Sequence, residues 1–468
     1  MHRHRHHRDL DLSPVWDDLD LPRRFPDEVE AAAAAARDER TAERRDATDI
    51  AFITVDPPGA MDLDQALHLA DRPGGGWTVH YAIADVAALV PPEGPVDVEA
   101  RHRGETLYLP DGRVPLHPPV LGEGSASLLP DVDRPAVLWT IDLDDTGATD
   151  RIAVERAVVR SRSRHDYDEL QAAFDAGTPP EPAAPLRAIG EARQALARER
   201  GAIELGLPSQ EVVRRDDGSW TIEHRLTLPV EGWNAQLSLL TGMAAARLMI
   251  DGGIGLLRTL PTPDKGTVRR LRRAAPGLGV DWPDGAAPSD VIADLDHHDP
   301  RHAAFLDRAA TLLRGAGYTA FDGEVPADTG HAGVANPYAH VTAPIRRLGD
   351  RFATEICLAL HAGTAPPGWV RAALADLPEV LQASGRRANA VERTSVDHVE
   401  AWLLSDRIGE VFEVAVIDHD DDRDRSTVVL DDPAVEAPCN GRPPLGARID
   451  ARLIEADLAT RRVRFEPA

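Results

Sequence analysis

The sequence predicts a mixed α/β body followed by a small all-β barrel, and three observations carry that prediction. Between Asp49 and Ser405, short β-prone runs such as Ile50 to Val55 and Trp77 to Val86 are interspersed with helical stripes such as Leu237, Leu240, Ala244 and Leu248. From Gly409 onward the pattern switches to alternating strands broken by turn residues. At 468 residues and 43% hydrophobic content, the chain has room for a large core and more than one domain. The expected division is a tail with a short helical segment over 1–47, the main body over 48–405 and the barrel over 409–467.

Composition narrows the function. No apolar run reaches the roughly 18 residues of a membrane span, and the charged start, Met1 to Asp9, lacks a signal peptide's apolar stretch. A soluble cytoplasmic protein is expected. The two cysteines, Cys357 and Cys439, lie far apart and have no partner at metal-ligand spacing, so no disulfide framework is expected and Cys357 reads as core. The formal net charge of −26 argues, as an average, against nucleic acid. Arg269-Arg270, Arg272-Arg273, Arg346-Arg347 and Arg386-Arg387 can nevertheless line a channel locally, although each also reads as a solvated face. Lys265 is the only lysine, which removes the GxxxxGK phosphate loop and lysine nucleophiles from consideration. Arginine suits bidentate phosphate contacts.

Taken in order, the chain opens with His2, His4, His6 and His7 in a tail, then the alanine run Ala31 to Ala36, which predicts a helix. The strand Ile50 to Val55 ends at Asp56, where Pro57-Pro58-Gly59 breaks the ladder and turns the chain. Asp62 and Asp64 are two apart, so an extended chain points both to one side and Leu63 to the other. Opposite Asp56 they make an acidic pocket. Carboxylates so close repel unless a cation lies between them, and Mg²⁺, which takes oxygen ligands, is the natural occupant. Two such ions roughly 3.5–4 Å apart are the usual arrangement for phosphodiester displacement. Spacing alone leaves a solvated acidic turn equally open.

Further strands are expected over Trp77 to Val86, and over Ala136 to Leu143 with Arg151 to Arg160 as a hairpin. The loop Gly177 to Pro185 leads to a helix over Leu186 to Arg200, then strands over Ala202 to Val213 and Trp220 to Leu228 around Asp216-Asp217-Gly218. Helices follow over Trp233 to Ile250, Lys265 to Ala275 and Asp299 to Gly315, with His297 and His298 on a surface loop. Pro344 serves as an early helix residue, placing Arg346, Arg347 and Asp350 in the first turns of a helix through Leu360. The tail has strands over Val411 to Ile417, Ser426 to Leu430, Ala447 to Glu455 and Arg461 to Phe465, whose number and length suit an OB-type barrel.

The wording of Thr54 to Leu67, with Asp56-Pro57, a short spacer and Asp62-Leu63-Asp64-Gln65-Ala66-Leu67, resembles the signature of the ribonuclease II (RNB) family. A second stretch, Pro344-Ile345-Arg346-Arg347 with Asp350 three residues on, resembles the family's other signature, with Ala343 and Leu348 replacing a serine and a tyrosine. Glu99 to Pro110 and Arg386 to Arg393 continue the likeness. The resemblance implies an RNB catalytic domain of mixed sheet and surrounding helices, an OB-like barrel, and a Mg²⁺-dependent hydrolytic 3′-to-5′ exoribonuclease. Its implied partner is single-stranded RNA, its products are nucleoside 5′-monophosphates, and no membrane or protein partner is expected. Asp56, Asp62 and Asp64 are the implied ligands of one or two Mg²⁺ ions, with Mn²⁺ as a substitute, and Asp64 also orients the attacking water. Gln65 stands where the family has an aspartate and completes the shell weakly through a neutral carbonyl. Arg346 steadies the phosphorane, Tyr108 and Glu392 fix the last nucleotide, and Arg347 adds a substrate contact. By residue type alone, Arg346 reads as an ion-pair partner of an acidic neighbour such as Asp350, Tyr108 as half-buried core and Glu392 as helix surface. The alternative is an RNA-binding protein of this descent whose metal site failed at Gln65.

Overall fold

The computed structural model describes residues 9–215, 217–296, 299–420 and 423–468. The tail histidines His2, His4, His6 and His7, Asp216 of the expected turn, and His297 and His298 lie outside the described residues. Two short helices come first, α1 (Ser13–Asp18) and α2 (Asp27–Ala35), the second on the alanine run. Strands β1 (Arg45–Asp46), β2 (Phe52–Asp56), β3 (Gln65–Asp71) and β4 (Trp77–Ala84) follow. Next come α3 (Pro95–Arg103), the small hairpin β5 (Leu107–Leu109) and β6 (Gly112–Val114), and the long pair β7 (Asp133–Leu143) and β8 (Thr149–Asp166).

These strands form one sheet in the order β1-β8-β2-β3-β4-β7. Strand β8 runs antiparallel to β7 along its first part and parallel to β2 along its last, so the sheet is mixed and curls back on itself. Strict alternation explains its burial on both faces. Ile53, Leu67, Leu69, Val79, Tyr81 and Ile83 enter one core, while Phe52, Ala66, Ala82 and Ala84 enter the other. Fully buried side chains such as Phe52, Tyr81 and Trp139 each stabilise the fold by ~1.5–3 kcal/mol.

The body continues through α4 (Tyr167–Asp175), α5 (Leu186–Arg200), the hairpin β9 (Ser209–Arg214) and β10 (Trp220–Arg225), α6 (Pro229–Gly252) and β11 (Ile254–Thr259). After α7 (Lys265–Ala274), α8 (Pro288–Ala293) and α9 (Pro300–Ala309) come β12 (Gly317–Asp322), which pairs with β11, and the two-residue strands β13 (Gly330–His331) and β14 (Asn336–Pro337). Helices α10 (Leu348–His361), α11 (Gly368–Ala373) and α12 (Leu377–Leu404) close the body. Gly242 lets α6 press against the segment before α10, since a Cβ there would stand 2.1 Å from the Tyr338 ring.

Five strands, β15 (Val411–Asp420), β16 (Arg425–Leu430), β17 (Val435–Asn440), β18 (Arg448–Asp457) and β19 (Arg462–Pro467), make the closed barrel β15-β16-β17-β19-β18. Ala401 and Leu404 of α12 insert into its core, and Val391, Val399 and Trp402 of the same helix pack with Leu12, Val15, Leu107 and Leu109. One helix therefore fastens the barrel, the N-terminal segment and the β5–β6 hairpin together.

Four expectations need correction. Residues 61–64 are irregular rather than a strand, because Leu63 bonds to Ser127 and Leu128 instead of a sheet neighbour. Residues 202–208 likewise lack strand pairing, and β9 begins only at Ser209. Helix α10 begins at Leu348, so Arg346 and Arg347 lie in the turn ahead of it. The barrel has a strand, β17, that the alternation around Pro438 hid.

Candidate active site

Asp56 is the last residue of β2, paired in register with Asp166 of β8. Pro57 and Pro58 end the ladder and Gly59, at φ +79°, turns the chain back. Loss of ladder and solvent together leaves Asp56 Oδ2 buried without a hydrogen-bond partner. Burial, opposed by Arg346 and reinforced by repulsion from Asp62, pushes its carboxyl up to about 7.

Asp64 lies eight residues on and is 3% exposed. Its backbone carbonyl accepts from Ala84 N at 2.9 Å, anchoring it beside the end of β4. Its side chain reaches the second signature: Oδ1 accepts from Ile345 N at 2.8 Å, and Oδ2 lies 3.3 Å from Arg346 Nε. Burial outweighs Arg346 and the Ile345 hydrogen bond and also pushes this carboxyl up to about 7. Two stretches about 280 residues apart in sequence thus meet through one carboxylate. The acidic neighbour of Arg346 is Asp64, not Asp350. The Arg346 side chain stays 41% exposed, so a cationic edge remains open beside buried Asp64 and half-buried Asp56.

Asp62 faces a different cation. Its Oδ1 accepts from Arg113 Nη1 at 2.8 Å, and Arg113 Nη2 also donates to Glu123 Oε1 at 2.5 Å. Tyr108 stands directly opposite Arg113 on the β5–β6 hairpin, so the two side chains share a face. The ring is 52% exposed, and its hydroxyl is pushed up to about 12 by the surrounding protein and by Asp62. An exposed aromatic face held beside acids and arginines can seat a base.

Three expected site residues are placed otherwise. Gln65, expected as a weak ligand, has both side-chain ends engaged. Its Nε2 donates to Thr342 O at 2.7 Å, while its Oε1 accepts from the Tyr81 hydroxyl and lies 3.3 Å from Ser238 Oγ. It joins β3, β4, α6 and the second signature, and its carbonyl lone pairs already face donors. Arg347, expected on substrate, is a half-buried fork on Asp350, with Nε and Nη2 at 3.1 and 2.8 Å from the two oxygens. Asp350 also accepts from Ala343 N at 2.7 Å, so this pair shapes the turn that presents Arg346. Glu392 is exposed on α12, next to Val391 in the cluster shared with Leu107 and Leu109, and no hydrogen bond or ion pair among the described residues ties it to the acids.

Among the described residues, no group of three or more His, Cys, Asp or Glu side chains is gathered closely enough to hold a metal ion. The chemistry of the donors still fits a hard divalent cation. All are oxygens, half-buried Asp56 has an orphaned buried oxygen, Asp64 is buried, and loss of solvent raises both carboxyls beyond what Arg346 offsets.

Reasoning from sequence missed Arg113 and the Gln65 cradle of Tyr81, Ser238 and Thr342. The turn is Pro110-Asp111, one residue ahead of the loop that an Asp111-Gly112 hairpin signal would give, and that register is what sets Arg113 across from Tyr108. No local signal points to the cradle.

Comparison with known proteins gives the same outline. The RNB domain family matches residues 44–360, and the RNase II-type exonuclease C-terminal S1 domain matches residues 410–468. Ribonuclease R of Escherichia coli is 28% identical over 440 residues, an alignment covering 84% of this chain and 51% of that protein. The chain spans about half the length of such curated relatives. Mycoplasma genitalium RNase R, solved in complex with ribose-methylated single-stranded RNA, superposes with a TM-score of 0.87 at 22% identity, covering 98% of this chain and 77% of that one. Yeast Ssd1, described as a pseudonuclease, shares the fold at a TM-score of 0.70 and 17% identity over 91% of this chain and 53% of its own.

Proposed function

Because the chain belongs to the RNB-domain family, we propose that it hydrolyses single-stranded RNA from the 3′ end, one nucleotide at a time, releasing nucleoside 5′-monophosphates. The observation that carries this reading is the junction of the two signatures, where Arg346 keeps an open cationic edge against buried Asp64 and half-buried Asp56. A phosphodiester needs both: carboxylates to organise hard cations and the attacking water, and a fixed guanidinium for charge developing on phosphorus oxygens.

Asp56, Asp62 and Asp64 would hold Mg²⁺, which supplies charge neutralisation and Lewis-acid polarisation of the phosphate when bound. Asp64, fixed by Ile345 N, orients the attacking water on the side of Arg346. Arg346 itself takes a non-bridging oxygen with the Nη atoms that its contact to Asp64 leaves free. Tyr108 stacks the terminal base on its exposed face. Glu392 meets the ribose only if α12 or the RNA brings the two together. The domain division 1–47, 48–405 and 409–467 goes with this reading, the barrel adding a surface for the strand upstream of the site. No helix among the described residues is long and apolar enough to cross a membrane.

The test is a 5′-labelled RNA with an unstructured 3′ tail, incubated with Mg²⁺ and then with EDTA, with Asp64→Asn as control. Stepwise shortening that needs Mg²⁺ and disappears in the variant is expected, with mononucleotide products bearing a 5′-phosphate. Retention of RNA without metal-dependent shortening would establish the binding-protein alternative, a fate the shared fold of Ssd1 makes concrete.

A further inference from the structure

The acidic signature departs from its family's wording at Gln65, and the structure places a cation, Arg113, on one of the acids. Arg113 bridges Asp62 and Glu123, at 2.8 and 2.5 Å. Its side chain is 28% exposed and that of Asp62 13%, so the pair lies in the wall of the site rather than in open solvent. Both partners are held by structure. Arg113 is on β6, and Glu123 sits on the π-helical turn Val120–Ser125, whose Gly122 comes so near Ile345 that a Cβ would lie 3.3 Å from its side chain. Ile345 is the residue whose N–H holds Asp64.

Breaking a simple two-member ion pair in such a wall strands one of its charges, and here the third member prevents that. If a divalent cation takes Asp62, Arg113 keeps Glu123 and is not left as a buried, unpaired charge. The exchange is therefore cheap enough to be reversible. Meanwhile Gln65 is neutral and turned to Tyr81, Ser238 and Thr342, so it adds no charge to hold the incoming ion. A site one negative charge short, with a resident guanidinium on one of its acids, fills only when free divalent cation is abundant.

We propose that Arg113 is an internal competitor for Asp62, occupying that carboxylate until a divalent cation displaces it and then resting on Glu123. Arg113 is thus a positioning residue that sets the cation concentration at which the site assembles. The proposal rests on the metal-dependent reading of Asp56, Asp62 and Asp64 under the proposed function.

The experiment measures Mn²⁺ binding to the full chain without RNA, by the paramagnetic resonance signal of free Mn²⁺, in the parent, Arg113→Gln, Arg113→Lys, Glu123→Gln and Asp56→Asn. Loss of one partly exposed ion pair changes an affinity by about fivefold. Arg113→Gln is expected to bind Mn²⁺ about fivefold more tightly than the parent, Arg113→Lys close to the parent, and Glu123→Gln more weakly, because Arg113 then has only Asp62. A purely structural Arg113 would lower the melting temperature of Arg113→Gln without tightening the metal. If the parent binds Mn²⁺, Asp56→Asn abolishes it, and Arg113→Gln binds no better than the parent, the competitor is refuted while the metal site stands. If neither parent nor Arg113→Gln binds Mn²⁺, the metal reading falls and takes the competitor with it. Binding by Arg113→Gln where the parent shows none supports the proposal in its strongest form.

Discussion

Glu400 offers a perturbation whose sign is set by burial. It lies on α12, 4% exposed, where that helix meets the β9–β10 hairpin and barrel strand β17. Its Oε1 accepts from Gln210 Nε2 at 2.8 Å and from Glu436 N at 2.9 Å. Burial outweighs these two hydrogen bonds and, with repulsion from Asp397 and Glu436, pushes the carboxyl up to about 7 from the ordinary 4.5. The folded chain therefore keeps a proton that the unfolded chain has already lost. Its contribution to stability is fully present below pH 4.5 and is lost as pH rises through about 7. A rise from 4.5 to about 7, at about 1.4 kcal/mol per unit, bounds that loss at roughly 3.5 kcal/mol. Glu400→Gln keeps the acceptor for both N–H groups and removes the ionisation. Urea unfolding followed by circular dichroism should find the variant more stable than the parent at pH 8, by up to roughly 3.5 kcal/mol, with most of the difference gone at pH 4.5. An equal difference at both pH values, or a variant weaker than the parent at pH 8, would refute the reasoning.

Three further outcomes are expected at the site. Arg346→Lys keeps the charge but loses the planar contact to Asp64, and kcat on single-stranded RNA should fall by about 10²-fold with KM changed much less. Tyr108→Ala should raise KM for short RNA by about tenfold while Tyr108→Phe stays near the parent, as stacking worth ~1–3 kcal/mol per base requires. Gln65→Asp cannot donate to Thr342 O and sets a shortened carboxylate before Tyr81, so the melting temperature should drop, reflecting a loss of ~1–3 kcal/mol.

What could be read from the sequence divides along a physical line. Strands β2, β4, β7 and β8 and helices α2, α5 and α6 were legible because alternation or a helical stripe is local information. Asp56, Asp62 and Asp64 stood out through the wording of their stretch, since spacing alone left a solvated acidic turn equally open; the fold puts Asp64 on Arg346 and Asp62 on Arg113. Those partners were not legible: that Arg346 binds Asp64, while Arg347 binds Asp350, depends on where the turn ahead of α10 ends, and neighbouring arginines look alike in sequence. Pairing of β11 with β12 was invisible for a similar reason, since nearly sixty residues and three helices separate the two strands. Gln65 shows the limit most plainly. A glutamine in place of an aspartate reads as a weakened ligand, yet in the fold it is a four-way tie whose partners come from β4, α6 and the turn before α10. Glu392 was expected at the ribose on likeness alone, and the exposure of that face of α12 leaves the contact to the bound RNA.

Crystals of the protein soaked in Mn²⁺ and measured at the manganese absorption edge address the central claim most directly. The account predicts an anomalous peak about 2.1 Å from a carboxylate oxygen of Asp56 and of Asp64, on the side where Arg346 presents its open edge. Saturating Mn²⁺ that leaves no peak there, with Asp56 and Asp64 unchanged, would contradict it.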